Sequence, residues 1–529
     1  MKLSIFRALL RKTWLPGALI LASVTIHNTA WSAGTTPAKT SLSMVGPWEL
    51  SSLEPSRTGY MFQRMQVAET LVGVNVNGRA VSGLAQQWEV SADQLRWRFV
   101  LRPDAKFHDG TMVTPASVAQ NMQRAWKQAG GVLYMAPITA ISETADGISI
   151  TLAKPYARLP MLLAHSTTII LAPAAYGSNG RVAHMIGSGP YQLVHHVLPQ
   201  QLDFALSPYW NGKQPHIRTV RYLSVSRSET RALMAESHQA DLVFGFDPAS
   251  LQRLRHNPKV VLQEADVART IVLKLNSGHR WLNTPASRQA LSLAINRTGI
   301  AKGILRTPGL AAEQFMPPSM HGWYQADADF PKLGTDLEKA RGLLTAQGWK
   351  PGKDGILQKD GERFALTLTA FPDRPELPIV ATALQDQFRQ LGIDVKVVVT
   401  NSSEIPLGHR RGTLDMGLLA LNFTVVPDPF IAMNQNFNLH GGDWGAMQWE
   451  NTTVPALLDK LATSTDEQAN QRYQHDIMLT LQQELPAIPI TWYRLPVAVH
   501  PELRGVKVDP LEQSYYLTDM YWPASAPQP

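Results

Sequence analysis

The 529-residue chain contains no cysteine. It has no disulfides and no catalytic thiol, and it cannot carry a lipid on an N-terminal cysteine, so a hydrophobic core of ordinary size must supply its stability. Charge is also sparse. Charged residues make up 17% and hydrophobic residues 44% of the sequence, which excludes a disordered chain and a protein with many membrane spans. Several catalytic motifs are missing. There is no His-Glu-x-x-His and no Gly-x-Ser-x-Gly, so zinc-peptidase and serine-hydrolase chemistry lacks its minimal parts. His195 and His196 are adjacent, and on a strand their side chains would point to opposite faces, away from a common metal ion.

Long apolar runs are absent as well. The run Trp14–Ile26 falls short of the roughly 20 residues that a bilayer span needs. Lys2, Arg7, Arg11 and Lys12 precede it, and the small residues of Ala30-Trp31-Ser32-Ala33 follow. This pattern reads as a secretory signal peptide over residues 1–32, with cleavage expected after Ser32. That segment holds four basic and no acidic residues, so its removal takes the formal charge from +7 to +3. A nucleic-acid partner then has no electrostatic support. An exported protein without cysteine fits a Gram-negative periplasm.

What is present is organised around Gly83–Trp126. Leu95, Trp97, Phe99 and Leu101 alternate with Arg96, Arg98 and Arg102, the period of a half-buried strand. Pro103 ends it, His108-Asp109-Gly110 supplies a turn, and Thr114-Pro115 caps and opens a helix over 116–126. With its ordered Trp88-Glu89, Leu101-Arg102 and Lys106-Phe107-x-Asp109-Gly110, the stretch resembles the signature of the family-5 extracellular solute-binding proteins. These are the peptide, nickel and glutathione receptors of ABC importers.

The resemblance continues along the chain. Leu53-Glu54-Pro55 and Glu69-Thr70-Leu71-Val72 match the family's first loop and helix end. Gly187-Ser188-Gly189-Pro190-Tyr191 matches its glycine turn. With no Gly-Lys-Ser/Thr behind those glycines, they are not read as a phosphate loop. The helix of Arg288, Ala290, Leu291, Ala294 and Ile295 resembles the crossover into a second lobe. Residues 364–399 read as strand, helix and strand, the unit of a parallel α/β sheet.

The resemblance implies an α/β, two-lobed periplasmic binding protein of type II, with three subdomains and a ligand cleft between the lobes. Lobe I is expected over 33–275, with an inserted subdomain at about 75–185. Lobe II follows over 276–489, and 490–529 returns to lobe I. A monomer that binds a small ligand without cofactor or turnover, and hands it to an ABC permease and its ATPase, is the implied function.

Ligand residues follow residue by residue from the same resemblance. Met61 stands where the nickel branch meets its chelate, so Tyr60, Met61 and Phe62 are ligand candidates or else core of the helix start, and Arg64 is a further candidate or a solvated helix position. Peptide receptors place an aspartate just before an Asp-Pro step. Here Asp428-Pro429 supplies the step, but Thr424, Val425 and Val426 stand where the aspartate would be. His440 matches the metal-ligating histidine of the nickel branch, or is a loop histidine. Phe423 and Trp444 could finish the pocket as aromatic walls. The nickel branch's arginine for chelator carboxylates is replaced by Ile169-Ile170, so Arg64, Arg410 or Arg411 must serve. The expected ligand is a nickel chelate, with a di- or oligopeptide as the alternative and an exported hydrolase as the alternative of another class.

Overall fold

The computed structural model describes residues 39–523 except 76–77, 129–130, 321, 425–427 and 440. The expected signal peptide, Val425, Val426 and His440 lie outside the described residues. The first part of the chain contributes β1 (Ser41–Gly46) and α1 (Pro55–Arg64). A four-stranded antiparallel sheet then forms from β2 (Ala85–Val90), β3 (Arg96–Leu101), β4 (Ile138–Glu143) and β5 (Gly147–Leu152), in the order β2-β3-β5-β4. Its helix α2 (Pro115–Lys127) carries the expected cap, with Thr114 Oγ1 accepting from Ser117 N–H and Ser117 Oγ accepting in return. Of the alternating strand, Phe99 and Leu101 are buried while Arg96 and Arg98 are exposed. β4 has no counterpart in the sequence reading, because its two buried residues, Ile138 and Ile141, show no strict alternation.

Apart from two small sheets of two and three short strands, the remaining strands join one ten-stranded sheet. They are β6 (Tyr191–Val197), β7 (Gln201–Leu206), β8 (Thr219–Ser224), β9 (Leu242–Phe244), β10 (Val261–Leu275), β11 (Ala365–Ala370), β12 (Asp394–Val399), β13 (Met416–Asn422) and β14 (Ala487–Val499). With β1 their order is β12-β11-β13-β10-β14-β9-β1-β8-β7-β6. β11 and β12 run parallel and are joined by the helix α3 (Glu376–Leu391), the expected strand–helix–strand unit. Gly392 stops that helix at φ 90°, a left-handed conformation suited to glycine.

Two long strands occupy the middle of this sheet. β10 and β14 pair antiparallel from Val261↔Val499 to Lys274↔Ala487. Every residue of β10 from Val267 to Leu275 is buried, so the sequence there is mostly apolar and does not alternate with polar residues. The pairing slips between Val267 and Thr270, leaving a bulge that contains Arg269. Bulges of this kind re-aim a side chain and are frequent beside functional sites. Among the described residues, no helix is long and apolar enough to cross a membrane.

Candidate functional site

Arg269 reaches out of the bulge into a buried cluster of charges. In the ladder with β13 it lies opposite Asn422, and both side chains converge on one carboxylate. Arg269 Nη2 is 2.6 Å from Glu512 Oε2, and Asn422 Nδ2 donates to the same oxygen at 3.2 Å. From α1, Arg64 Nε donates to the Glu512 backbone carbonyl, and Arg64 Nη2 stands 3.8 Å from Glu512 Oε1. The guanidinium of Arg64 also lies 5.4 Å from the Tyr60 ring.

A third arginine comes from the loop after β11. Arg374 Nη1 donates to Tyr493 Oη at 3.3 Å, and Tyr493 belongs to β14. The Tyr493 ring has Arg269 at 5.3 Å and Arg374 at 5.5 Å from its centre. Glu376, the first residue of α3, is buried beside them with an Oε1 that has no hydrogen-bond partner. Arg269 Nε is buried without a partner as well.

The loop that presents Glu512 is built for that purpose. Asp509 accepts from the backbone N–H groups of Leu511, Gln513 and Ser514, at 3.0, 2.8 and 2.9 Å. Gln513 Nε2 donates to the Thr424 carbonyl at 2.7 Å, so the same loop is tied to the end of β13. Glu512 itself sits at φ 55°, a region that a residue with a side chain rarely adopts. Such conformations persist where the surroundings impose them, often at functional sites.

Charges of both signs lie close together here. Three arginines face Glu512 and Glu376, and Asp509 in the same loop acts on Arg64 as well. Burial first, and then the nearby Arg374, push Arg269 down to about 10 despite the attraction of Glu512. For Glu512 burial opposes the charged form, yet Arg269, Arg64 and Arg374 outweigh it and hold the carboxyl below its usual range. Both values move down: burial disfavours the charged Arg269, whereas three nearby cations favour the charged Glu512.

The other candidates fall in different places. Tyr60 and Arg64 belong to the cluster. Met61 and Phe62 are wholly buried in the core beside β1, and Phe423 is wholly buried in the main core, its N–H donating to the Ala268 carbonyl at 2.9 Å. Asp428 caps the helix Pro429–Phe437, accepting from Phe430 N–H, and stands 3.4 Å from Arg158 Nη1. Trp444 is partly exposed and meets Phe371 edge-on at 6.1 Å, three residues before Arg374. Arg410 pairs with Asp443, and Arg411 is exposed.

Arg269, Arg374, Glu376, Tyr493 and Glu512 did not emerge from the sequence. One signal was there: Arg269 and Lys274 are cations inside the apolar run Val267–Leu275, where a charge has to have a partner. Among the described residues, no group of three or more His, Cys, Asp or Glu side chains is arranged to hold a metal ion.

Two long antiparallel strands run through the middle of the large sheet, and the buried charged cluster lies beside them. The model of bacterial extracellular solute-binding proteins, family 5 Middle, matches residues 79–443, and the chain belongs to this family. It is similar to the nickel-binding periplasmic protein of Escherichia coli (strain K12), at 26% identity over 523 residues, 95% of this chain and 97% of that one. It is also similar to the probable D,D-dipeptide-binding periplasmic protein DdpA of the same organism, at 27% identity over 451 residues, 83% of this chain and 84% of that one. Among solved structures, NikA from Brucella suis in complex with Fe(III)-EDTA superposes with a TM-score of 0.81 at 22% identity, covering 92% of this chain and 100% of that one. The fold is that of a periplasmic binding protein, and the chain is the substrate-binding component of an ABC importer, working with a permease and an ATPase.

Proposed function

We propose that this protein captures nickel in the periplasm as a small chelate with a carboxylate-bearing carrier and delivers it for import. The observation that carries this reading is the convergence of Arg64, Arg269 and Arg374 in one buried cluster beside the central strands. Such a cleft repels a bare cation and attracts the carboxylates of a carrier, which arginine meets with paired, charge-assisted hydrogen bonds. The similarity to a nickel-binding relative along nearly the whole chain supports it. In this reading the signal peptide over 1–32 directs export, and β10 and β14 form the hinge between lobes over 33–275 with 490–529 and over 276–489. His440 ligates the metal, with Trp444 near the mouth of the cleft. Closure traps the chelate, as in other two-lobed receptors.

A second reading is a di- or oligopeptide ligand. Glu376 favours it, since its unpartnered Oε1 could accept from a peptide ammonium while an arginine takes the carboxylate. The similarity to a dipeptide-binding relative points the same way.

Native mass spectrometry of the protein purified from the periplasm, followed by calorimetric titration with nickel–histidine and with mixed dipeptides, separates the two. Nickel bound with a small carrier, and lost in His440→Ala, is the expected result. A peptide bound with no response to nickel would move the function to peptide uptake.

A further inference from the structure

Resting on the reading of this cleft as the ligand site, we propose that Glu512 is a built-in counter-carboxylate that sets the charge of the ligand. It engages Arg64 and Arg269, and it leaves Arg374 and the free Nε–H of Arg269 for one further carboxylate. The free Oε1 of Glu376 then receives a donor group of the same ligand. The chemistry recognised is a carboxylate flanked by an N–H donor, the head of an α-amino acid, whether that head belongs to a metal carrier or to the end of a peptide.

Four observations carry this. The Glu512 side chain is 4% exposed and that of its partner Arg269 6%, so removing it would leave a buried cation without its ion-pair partner. Its backbone is held in the left-handed region by the three amide bonds of Asp509, which is a costly way to place an incidental side chain. The groups it gathers come from α1, the β10 bulge and the end of β13, so a single carboxylate joins distant parts of the chain. Finally, two polar atoms of opposite kind, Arg269 Nε and Glu376 Oε1, are buried at this cluster without partners. Buried polar atoms in native proteins are nearly always satisfied, and here a ligand that carries both an acceptor and a donor would satisfy them together.

The acidic group nearest to Glu512 along the loop is Asp509, whose oxygens are already taken by backbone amides. It acts on Arg64 through space. Tyr60, Tyr493 and Tyr515 are neutral, since burial pushes each hydroxyl above its ordinary range. Glu512 and Glu376 are therefore the groups that tune the cluster.

The test uses two ligand series on the whole protein, each read by calorimetry. One consists of nickel with L-histidine, with L-histidinamide and with EDTA. The other consists of Ala-Ala, its C-terminal amide and Ala-Glu. The native protein should prefer the carboxylate over the amide in whichever series it binds. Glu512→Gln should shift preference toward the more anionic member, nickel–EDTA or Ala-Glu, by about tenfold, the weight of one charge-assisted hydrogen bond. Arg374→Gln should abolish the discrimination between carboxylate and amide. If Glu512→Gln does not fold, as judged by its melting curve, Arg374→Gln decides. Binding confined to the peptide series would sink the nickel reading and leave this one standing. An unchanged preference in folded Glu512→Gln, retained discrimination in folded Arg374→Gln, or a native protein that binds no carboxylate-bearing member would overturn it.

Discussion

The imidazole of His108 is fixed to Gly189: its Nε2–H donates to the Gly189 carbonyl at 3.0 Å, while Nδ1 accepts from Gly187 N–H at 3.2 Å. Accepting at Nδ1 puts the proton on Nε2 and makes the ring neutral. Two sequence motifs 81 residues apart, the Asp-Gly turn and the Gly-Ser-Gly turn, thus become one structural unit. Glu69 completes it, with Arg102 Nη2 at 3.1 Å and Ser188 Oγ at 2.9 Å. These motifs mark the scaffold of the family and lie apart from the charged cluster.

Acid should weaken this unit. Burial pushes His108 from 6.5 down to about 4, only partly offset by the Gly189 carbonyl. Because the folded-state value lies below the unfolded one, the stability contributed by the neutral ring is complete above about pH 6.5 and is lost as pH falls toward 4. His108→Phe should lose roughly 2–3 kcal/mol at pH 7, through two unsatisfied backbone groups, and show a shallower decline between pH 6.5 and 4. Urea unfolding at pH 7 and pH 5 checks both. His165, also held to about 4 by burial, adds a background slope common to native and variant.

The glycines of the second turn serve close packing of backbones. A Cβ on Gly189 would lie 2.1 Å from the Gln66 carbonyl oxygen, and one on Gly187 would lie 2.2 Å from that of Val67. Neither neighbour is a flexible side-chain end, so the backbone has to move. Gly189→Ala should cost about 3 kcal/mol or abolish folding, whereas Gly342→Ala, in a helix with nothing within 4 Å, should stabilise by up to about 1 kcal/mol. Equal melting temperatures for the two variants would contradict this account.

The contrast explains what could be read in advance. His108, Gly110 and Thr114-Pro115 act over a few residues, so turn and cap chemistry exposes them, and α3 between β11 and β12 shows itself by its period. Arg269 and Glu512 are 243 positions apart, and their meeting depends on a bulge and a strained loop that no local pattern announces. β10 gave no usable period because both its faces are covered. Met61 and Phe62 could be read either way, since an apolar helix residue at a cleft and one in a core look alike until the neighbouring strands are placed.

Lys274 poses a separate test. It is wholly buried, with Nζ donating to His409 Nδ1 at 2.5 Å and to the Asp443 carbonyl at 2.9 Å. Burial lowers it from 10.5 to about 7, against the attraction of the Asp443 carboxylate. The favoured folded form is the neutral amine, so its contribution is full above about pH 10.5 and is lost as pH falls to 7. Lys274→Met removes that slope. Relative to the native protein it should be more stable at pH 7 than at pH 10, by up to about 4 kcal/mol. A stability difference that does not change over this range would show that the amine is charged in the folded state throughout.

Asp509 should govern the cluster without touching it. Its two oxygens serve three N–H donors, and burial pushes its carboxyl upward even so, because the amides only partly offset the desolvation. In Asp509→Asn a single acceptor oxygen remains, and the new NH₂ group faces amide donors. The loop then loses the bonds that keep Glu512 at its positive φ, and the residue relaxes toward a more common conformation away from Arg269. Stability should fall by about 1–3 kcal/mol. In hydrogen exchange, the amides of Leu511, Gln513 and Ser514 should be released sooner than those of β10 and β14, because the loop opens locally while the sheet stays closed. If these three amides instead exchanged together with the central strands, the loop would be part of the global fold, and its strain would carry no separate role in placing Glu512.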